Sequence, residues 1–266
     1  MAGSISGAEL KRGFALQSRI VGALILREMR TRFGERQFGY AWALLEPLVQ
    51  IGILSGMFFL TGARPPLGGS YETFFLTGFI TFAFFRGPAT QAAQSITANR
   101  ALLSFPPVRN IDTVWARIIL EVVTNIAALG FVVLIFVFLE IQVAPNDPLR
   151  VTYGLLSMTV LGAGFGIFNA IIATFFKSWM MLWGWFMRVQ YFTTGIFFIP
   201  EKLPPFALEY MKWNPSMQGV IIVREGFYNG YKSALLIESL PFVVGLSFAL
   251  LGLVIERLYR RRVSRL

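Results

Sequence analysis

The sequence predicts an all-α polytopic membrane protein, from its composition and from the way its charges are spaced. Only 14% of the residues are charged and 55% are hydrophobic, whereas soluble domains carry about 25% charged residues. Three stretches, 122–139, 151–176 and 239–255, contain no charged residue. Each approaches or exceeds the roughly 18–20 apolar residues that a helix needs to cross a bilayer core.

Six membrane spans follow from the apolar stretches, and the second is the weakest. We predict them at about 43–62, 72–88, 115–139, 151–175, 179–199 and 234–256. Seven Lys or Arg precede the first span and five follow the last, whereas loop 61–72 carries only Arg64. Because loops rich in Lys and Arg stay in the cytoplasm, both termini are predicted to be cytoplasmic. Topology thus explains the net charge of +10, and no nucleic-acid partner is predicted.

The absence of cysteine and histidine excludes several kinds of site. No disulfide, thiolate nucleophile, imidazole base or familiar zinc site can form. The chain also lacks a G-x-x-x-x-G-K-[ST] loop and a G-x-S-x-G motif. We therefore predict no catalytic residue, no metal ligand and no cofactor in this chain. Gln17 and Arg19 interrupt any apolar core of a cleavable signal peptide.

The N-terminal segment, 1–42, is predicted to be cytoplasmic and to contain an amphipathic helix. Arg19, Arg27 and Arg30 share one arc of roughly 80° on a helical wheel, with apolar residues on the rest. Such a helix lies on the cytoplasmic leaflet, and Gly34 is its predicted end. It either anchors the chain to the membrane or also contacts a partner. The transmembrane domain follows at 43–256, and a basic cytoplasmic tail at 257–266.

Two loops are predicted to contain helices rather than to be simple connectors. The cytoplasmic loop 89–114 breaks at Phe105-Pro106-Pro107 and restarts as a helix with Asp112 as N-cap. It either docks a cytoplasmic partner or merely extends two spans. The periplasmic segment 200–233 has three prolines and then an apolar run too short to span a bilayer. It is predicted to form a re-entrant or interfacial helix, with an ordinary surface loop as the alternative.

Arg188 lies about the middle of the predicted fifth span. An arginine at a helix centre costs about 2.5–3.5 kcal/mol on insertion scales, so it should face protein or water. Its helix face includes aromatic and apolar residues, on which sugar rings can stack: Met181, Trp185, Tyr191 and Phe192. Arg188 either lines a transport pathway or is held structurally, by Glu46, by Glu121 or by a cation–π contact with Trp185.

The pair Glu46-Pro47 has two interpretations. Proline is tolerated in the first turn of a helix, where a carboxylate also suits the helix dipole. Alternatively Glu46 forms a salt bridge between helices, to Arg188 or to an N-terminal arginine.

The stretch LILREMRTRFGERQFGYAWALLEPL, residues 24–48, resembles the opening of the membrane subunits of ABC-2 type exporters. The similarity is greatest to the capsular-polysaccharide permease branch, the KpsM type, and it extends to the loop 99–117 and the segment 214–231. Gln218 departs from that pattern, since relatives often have histidine there.

The resemblance implies the ABC-2, or type V, exporter fold in a bacterial inner membrane. Two permease subunits would form a homodimer and pair with two cytoplasmic ABC ATPase subunits, which hold ATP and Mg²⁺. The cargo would be a lipid-linked, often anionic capsular polysaccharide. A periplasmic polysaccharide co-polymerase and an outer-membrane export channel would carry it onward.

The same resemblance assigns roles to particular regions. The N-terminal helix and the loop around 102–109 would contact the ATPases, which makes Arg27, Arg30, Leu102, Phe105, Pro106 and Arg109 coupling candidates. Helices after the fifth span would gate the periplasmic side, with Trp213, Asn214, Pro215 and Tyr228 as candidates. The first and fifth spans would line the pathway. Alternatives are export of O-antigen, teichoic acid or a small hydrophobic cargo, an integral-membrane enzyme, or a secondary carrier.

Overall fold

The computed structural model describes residues 7–33, 39–62, 64–99, 102 and 108–263. Within these ranges the regular elements are α-helices and two 3-10 turns, at Ala92–Gln94 and Pro200–Lys202. The helices are α1 (Gly7–Phe33), α2 (Gly39–Leu60), α3 (Tyr71–Gln91), α4 (Ser95–Ala98), α5 (Asn110–Phe138), α6 (Pro148–Phe175), α7 (Trp179–Thr193), α8 (Pro205–Met211), α9 (Pro215–Phe227) and α10 (Leu240–Val263). This architecture confirms the all-α part of the predicted fold class.

Four helices of the described chain are long and apolar enough to cross a membrane. They are Ala41–Leu60, Asn110–Phe138, Pro148–Phe175 and Leu240–Tyr259, at the first, third, fourth and sixth predicted spans. Helices α3 and α7 lie where the second and fifth were predicted. Helix α7 has 15 residues, which cover about 22 Å at ~1.5 Å per residue, less than a bilayer core of about 30 Å. The six-span topology stays a prediction.

Helix α3 lies at the centre of the fold and packs against α2, α5, α6 and α9. Phe74, Phe75 and Phe85 are almost completely buried. The hydroxyls of the buried Thr77 and Thr81 donate to backbone carbonyls one turn back in the same helix. Protein rather than lipid surrounds most of this helix, which explains why the second predicted span is only moderately apolar.

Glycines allow helix α6 to approach α3 and α10 closely. A Cβ added at Gly162 would lie 2.6 Å from the carbonyl oxygen of Phe85 on α3. A Cβ added at Gly164 would overlap the carbonyl oxygen of Gly245 on α10. Small residues that bring backbones together are a common basis of helix packing in membranes.

The chain leaves its helical path after Thr193. Gly195 has φ +86°, in the left-handed region that favours glycine, and residues 194–199 are not helical. Ile196 and Ile199 in this segment are buried. The stretch predicted as a continuous fifth span is therefore a short helix followed by buried irregular chain.

Helix α1 packs along α5 and ends at Phe33, while Gly34 lies outside the described residues. The prediction that Asp112 is the N-cap of the following helix is wrong, because α5 begins at Asn110. The Asp112 carboxylate accepts the backbone N–H of Arg109 at 2.9 Å and the side-chain amide of Gln17 at 2.8 Å. It thus both stabilises the start of α5 and binds α1.

Candidate functional site

Arg188 lies on an exposed side of α7 that is rich in large side chains. Its guanidinium carbon is 4.8 Å from the ring centroid of Trp185, within the range of a cation–π contact. Met181, Trp185 and Phe192 are each about 60% exposed. Tyr191 is half-buried, and its ring lies 5.9 Å from that of Phe79 on α3. The structure thus brings these predicted pathway candidates together on one helix.

A cavity of about 360 Å³ lies between α2, α3 and α7. Arg188, Tyr191 and Phe192 line it from α7, and Arg86 and Thr90 line it from α3. The Trp183 indole N–H donates to the Thr90 hydroxyl at 3.1 Å and so fixes α7 against α3 at the cavity wall. The cavity places a second arginine beside the predicted one.

Glu46 lines an adjacent cavity of about 170 Å³, whose wall also includes Arg86 and Glu121. The interpretation of Glu46-Pro47 as a helix start is wrong, because α2 begins at Gly39 and Pro47 lies inside the helix. The side-chain amide of Gln50 donates to the Glu46 carboxylate at 3.4 Å. Within the described chain no ion pair joins Glu46 to Arg188.

The coupling candidates that the structure describes lie on the side of the molecule formed by α1, α4 and the start of α5. Arg27, Arg30 and Arg109 are exposed, and Leu102 is half-buried. The Arg27 guanidinium also donates to the side-chain carbonyl of Asn99. Phe105 and Pro106 lie outside the described residues.

Glu28, beside Arg27, joins three elements on this side of the molecule. It is 8% exposed, and one carboxylate oxygen lies 3.1 Å from Nε of Arg117 on α5. The other accepts the side-chain amide of Asn99 at 2.7 Å. Arg117 also donates to the carbonyl of Gln91, at the end of α3, at 3.2 Å. A buried ion pair therefore fixes α1 to α3 and α5.

The gate candidates lie at the two ends of helix α9. Asn214 is its N-cap, with a side-chain oxygen that accepts the N–H of Ser216 at 3.1 Å, and Pro215 is its first residue. Trp213 is largely exposed, whereas Tyr228 is the half-buried C-cap. Residues 213–216 also line a groove of about 480 Å³ shared with α6, α7 and α10.

Arg224 on α9 supports the irregular segment that follows α7. It is completely buried, and its guanidinium donates to the carbonyls of Phe198 at 2.9 Å and Ile196 at 3.2 Å. It also lies 4.1 Å from the ring centroid of Phe74 on α3. Irregular backbone within a membrane protein requires hydrogen bonds of this kind.

Two further contacts fix α9 to its neighbours. The side chain of the buried Gln218 donates to the carbonyls of Lys212 and Leu235 and accepts the N–H of Ile237. Arg150 at the start of α6 bridges Glu225 and Glu238 at 2.7 and 2.6 Å. Gln218, where the sequence departs from the family pattern, therefore connects α9 to the chain segments before and after it.

Sequence reasoning missed Glu28, Arg86 and Arg224 as individual residues. Arg224 interrupts the apolar run GVIIVREG, and Arg86 ends the apolar run FAFFRG. Both are charges inside or at the end of an apolar stretch, the same signal that marks Arg188. Glu28 had a weaker signal, since it shares a helix face with the buried Leu24 four residues earlier.

Comparison with known proteins defines the class to which this helical architecture belongs. The model of the ABC-2 type transporter membrane family matches residues 20–228. The chain therefore belongs to the ABC-2 type transporter family.

Individual relatives cover most of the chain. The polysialic acid transport protein KpsM of Escherichia coli is 31% identical over 84% of this chain and 86% of its own length. The capsule polysaccharide export inner-membrane protein BexB of Haemophilus influenzae is 30% identical over 96% of each chain. CtrC of Neisseria meningitidis, described in the same words as BexB, is 29% identical over 80% of this chain and 81% of its own.

Proposed function

We propose that the chain is the permease subunit of an ATP-driven exporter that moves lipid-linked capsular polysaccharide across the bacterial inner membrane, from cytoplasm to periplasm. The observation that carries this proposal is the similarity to a capsule polysaccharide export protein over 96% of both chains. Family membership and the long apolar helices support it.

The proposed assembly is a homodimer of this chain with two cytoplasmic ABC ATPase subunits. Each permease subunit crosses the membrane six times with both termini in the cytoplasm, and α3 and α7 supply the two spans beyond the four long apolar helices. A periplasmic co-polymerase and an outer-membrane channel receive the polysaccharide. ATP and Mg²⁺ are held by the ATPases.

Within this assembly α1 lies on the cytoplasmic leaflet and contacts an ATPase together with residues 102–109. The exposure of Arg27, Arg30 and Arg109 supports this role. The ion pair between Glu28 and Arg117 supports it further, because it joins α1 rigidly to α5.

The pathway runs along the exposed side of α7, and α8 and α9 form a re-entrant gate at its periplasmic end. Aromatic rings beside an arginine suit a cargo of sugar rings that carries anionic groups. The carbonyl contacts of Arg224 support a re-entrant α9, since they satisfy irregular chain away from water.

Stimulation of a partner ATPase tests the proposal. The chain is co-expressed with a candidate ABC ATPase, and ATP hydrolysis is measured for the complex and for the ATPase alone. We expect hydrolysis to rise in the complex and the rise to be lost in Arg109→Glu, which reverses an exposed charge but keeps the backbone contact to Asp112.

Arg257→Glu, a reversal at an exposed residue of α10, is the matched control and should retain the stimulation. Transport by the purified chain without any ATPase would contradict the proposal.

A further inference from the structure

The cavity between α2, α3 and α7 has two arginines in its wall and no carboxylate. Arg86 comes from α3 and Arg188 from α7, and both side chains are exposed. In the part of the chain that the structure describes, neither forms an ion pair. Both guanidinium groups are therefore open to a ligand in this cavity, and Arg86 also lines the adjacent cavity whose wall includes Glu46 and Glu121.

Three other arginines of the same structure have partners within the protein. Arg117 pairs with Glu28, Arg150 pairs with Glu225, and Arg224 donates to backbone carbonyls. Two like charges that share a cavity repel each other. An anion between them would relieve that repulsion and accept charge-assisted hydrogen bonds from planar guanidinium groups, whose geometry matches oxyanions.

The rest of the cavity wall suits a sugar attached to such an anion. Phe82, Trp183 and Tyr191 contribute ring surfaces, and Gln50 and Thr90 contribute polar groups. Trp183 is held in place by its hydrogen bond to Thr90. The volume of about 360 Å³ lies at the lower end of the roughly 300–1,000 Å³ range of small-molecule sites.

We propose that Arg86 and Arg188 together bind the phosphate of a sugar phosphate, with the sugar ring against the aromatic wall. The inference rests on the proposed function for its biological setting. A sugar carboxylate offers the same oxyanion chemistry, and the experiment separates the two sources.

Ligand binding to the full-length chain in phosphatidylcholine nanodiscs tests the proposal without any ATPase. The probes are glucose 1-phosphate, glucuronate and glucose, which share a ring and differ in charge. Binding is followed by tryptophan fluorescence, because Trp183 lines the cavity and Trp185 contacts Arg188. We expect saturable binding of glucose 1-phosphate that is about tenfold weaker in Arg86→Gln and in Arg188→Gln, as loss of a charged hydrogen-bond donor implies.

Arg257→Gln, which removes an exposed arginine away from the cavity, should bind as the native chain does. Arg86→Lys keeps the charge but not the planar guanidinium group. An affinity for glucose 1-phosphate between those of the native chain and Arg86→Gln supports the site even where the Gln variant folds poorly. Equal binding of glucuronate would identify the sugar carboxylate as the source of the anion. Binding of glucose as tight as that of glucose 1-phosphate, or affinities unchanged by both arginine substitutions, would overturn the proposal.

Since the measurement needs no transport, its failure would leave the exporter assignment intact. Likewise, the absence of ATPase stimulation would not contradict the proposed binding site.

Discussion

Glu28 is a buried residue through which α1 is attached to α5. Its carboxylate is buried and accepts hydrogen bonds from Arg117 on α5 and Asn99 after α4. A buried arginine that loses its carboxylate partner keeps a charge without compensation, which is costly in a poorly solvated position. The ion pair therefore fixes the place of α1 more firmly than exposed charges on the same helix can.

Glu28→Gln should lower the stability of the folded chain by about 2 kcal/mol, since it removes hydrogen bonds to a charged group. The melting temperature of the purified chain in detergent measures this. Glu209→Gln, at an exposed position on α8, is the control and should melt as the native chain does. Equal melting temperatures for both variants would show that the ion pair contributes nothing.

Among individual residues, the sequence predicted the structural setting of some and not of others, for physical reasons. Arg188 could be recognised because a charged side chain inside a predicted span is energetically unfavourable unless it faces protein or water. Its contact with Trp185 was one of the alternatives, and spacing alone could not select it. The helix-start interpretation of Glu46 failed because α2 already begins at Gly39, where the sequence has no Ser, Thr, Asp or Asn to mark an N-cap.

Single elements show how closely α6 and α10 are packed. Gly164 and Gly245 meet backbone to backbone, so a methyl group at Gly164 has no space. Gly56 on α2 has no atom within 4 Å of an added Cβ. Substitutions at these two glycines therefore distinguish a glycine required by close packing from one that is not.

Gly164→Ala should destabilise the chain by about 1–3 kcal/mol, because overpacking forces the backbones apart. Gly56→Ala should leave stability unchanged or raise it slightly, since alanine favours helix. Thermal melting of the two variants under the same detergent conditions provides the comparison. A fall in stability for Gly56→Ala alone would contradict the packing derived from the structure.

The sequence predicted long apolar elements well and irregular ones poorly. Helices α5, α6 and α10 follow directly from apolar stretches of span length. The end of α7 at Thr193 did not, because residues 194–199 remain apolar and only Gly195 marks the change of backbone conformation. The carbonyls of that segment are satisfied by Arg224, about thirty residues later, and hydropathy carries no information on such pairing.

Over the whole molecule, the end of α3 connects the two candidate functional regions. The carbonyl of Gln91 accepts a hydrogen bond from Arg117, the partner of Glu28. The neighbouring Thr90 accepts one from Trp183 on α7, at the wall of the arginine-lined cavity. Adjacent residues of the central helix thus contact both the proposed ATPase-facing surface and the proposed pathway.

ATP-dependent uptake of lipid-linked polysaccharide into inside-out membrane vesicles tests the central claim most directly. We expect uptake only when this chain, its ABC ATPase and ATP are all present, and reduced uptake for Arg188→Gln at unchanged protein level. Uptake that persists without the ATPase, or none with the complete complex, would contradict it.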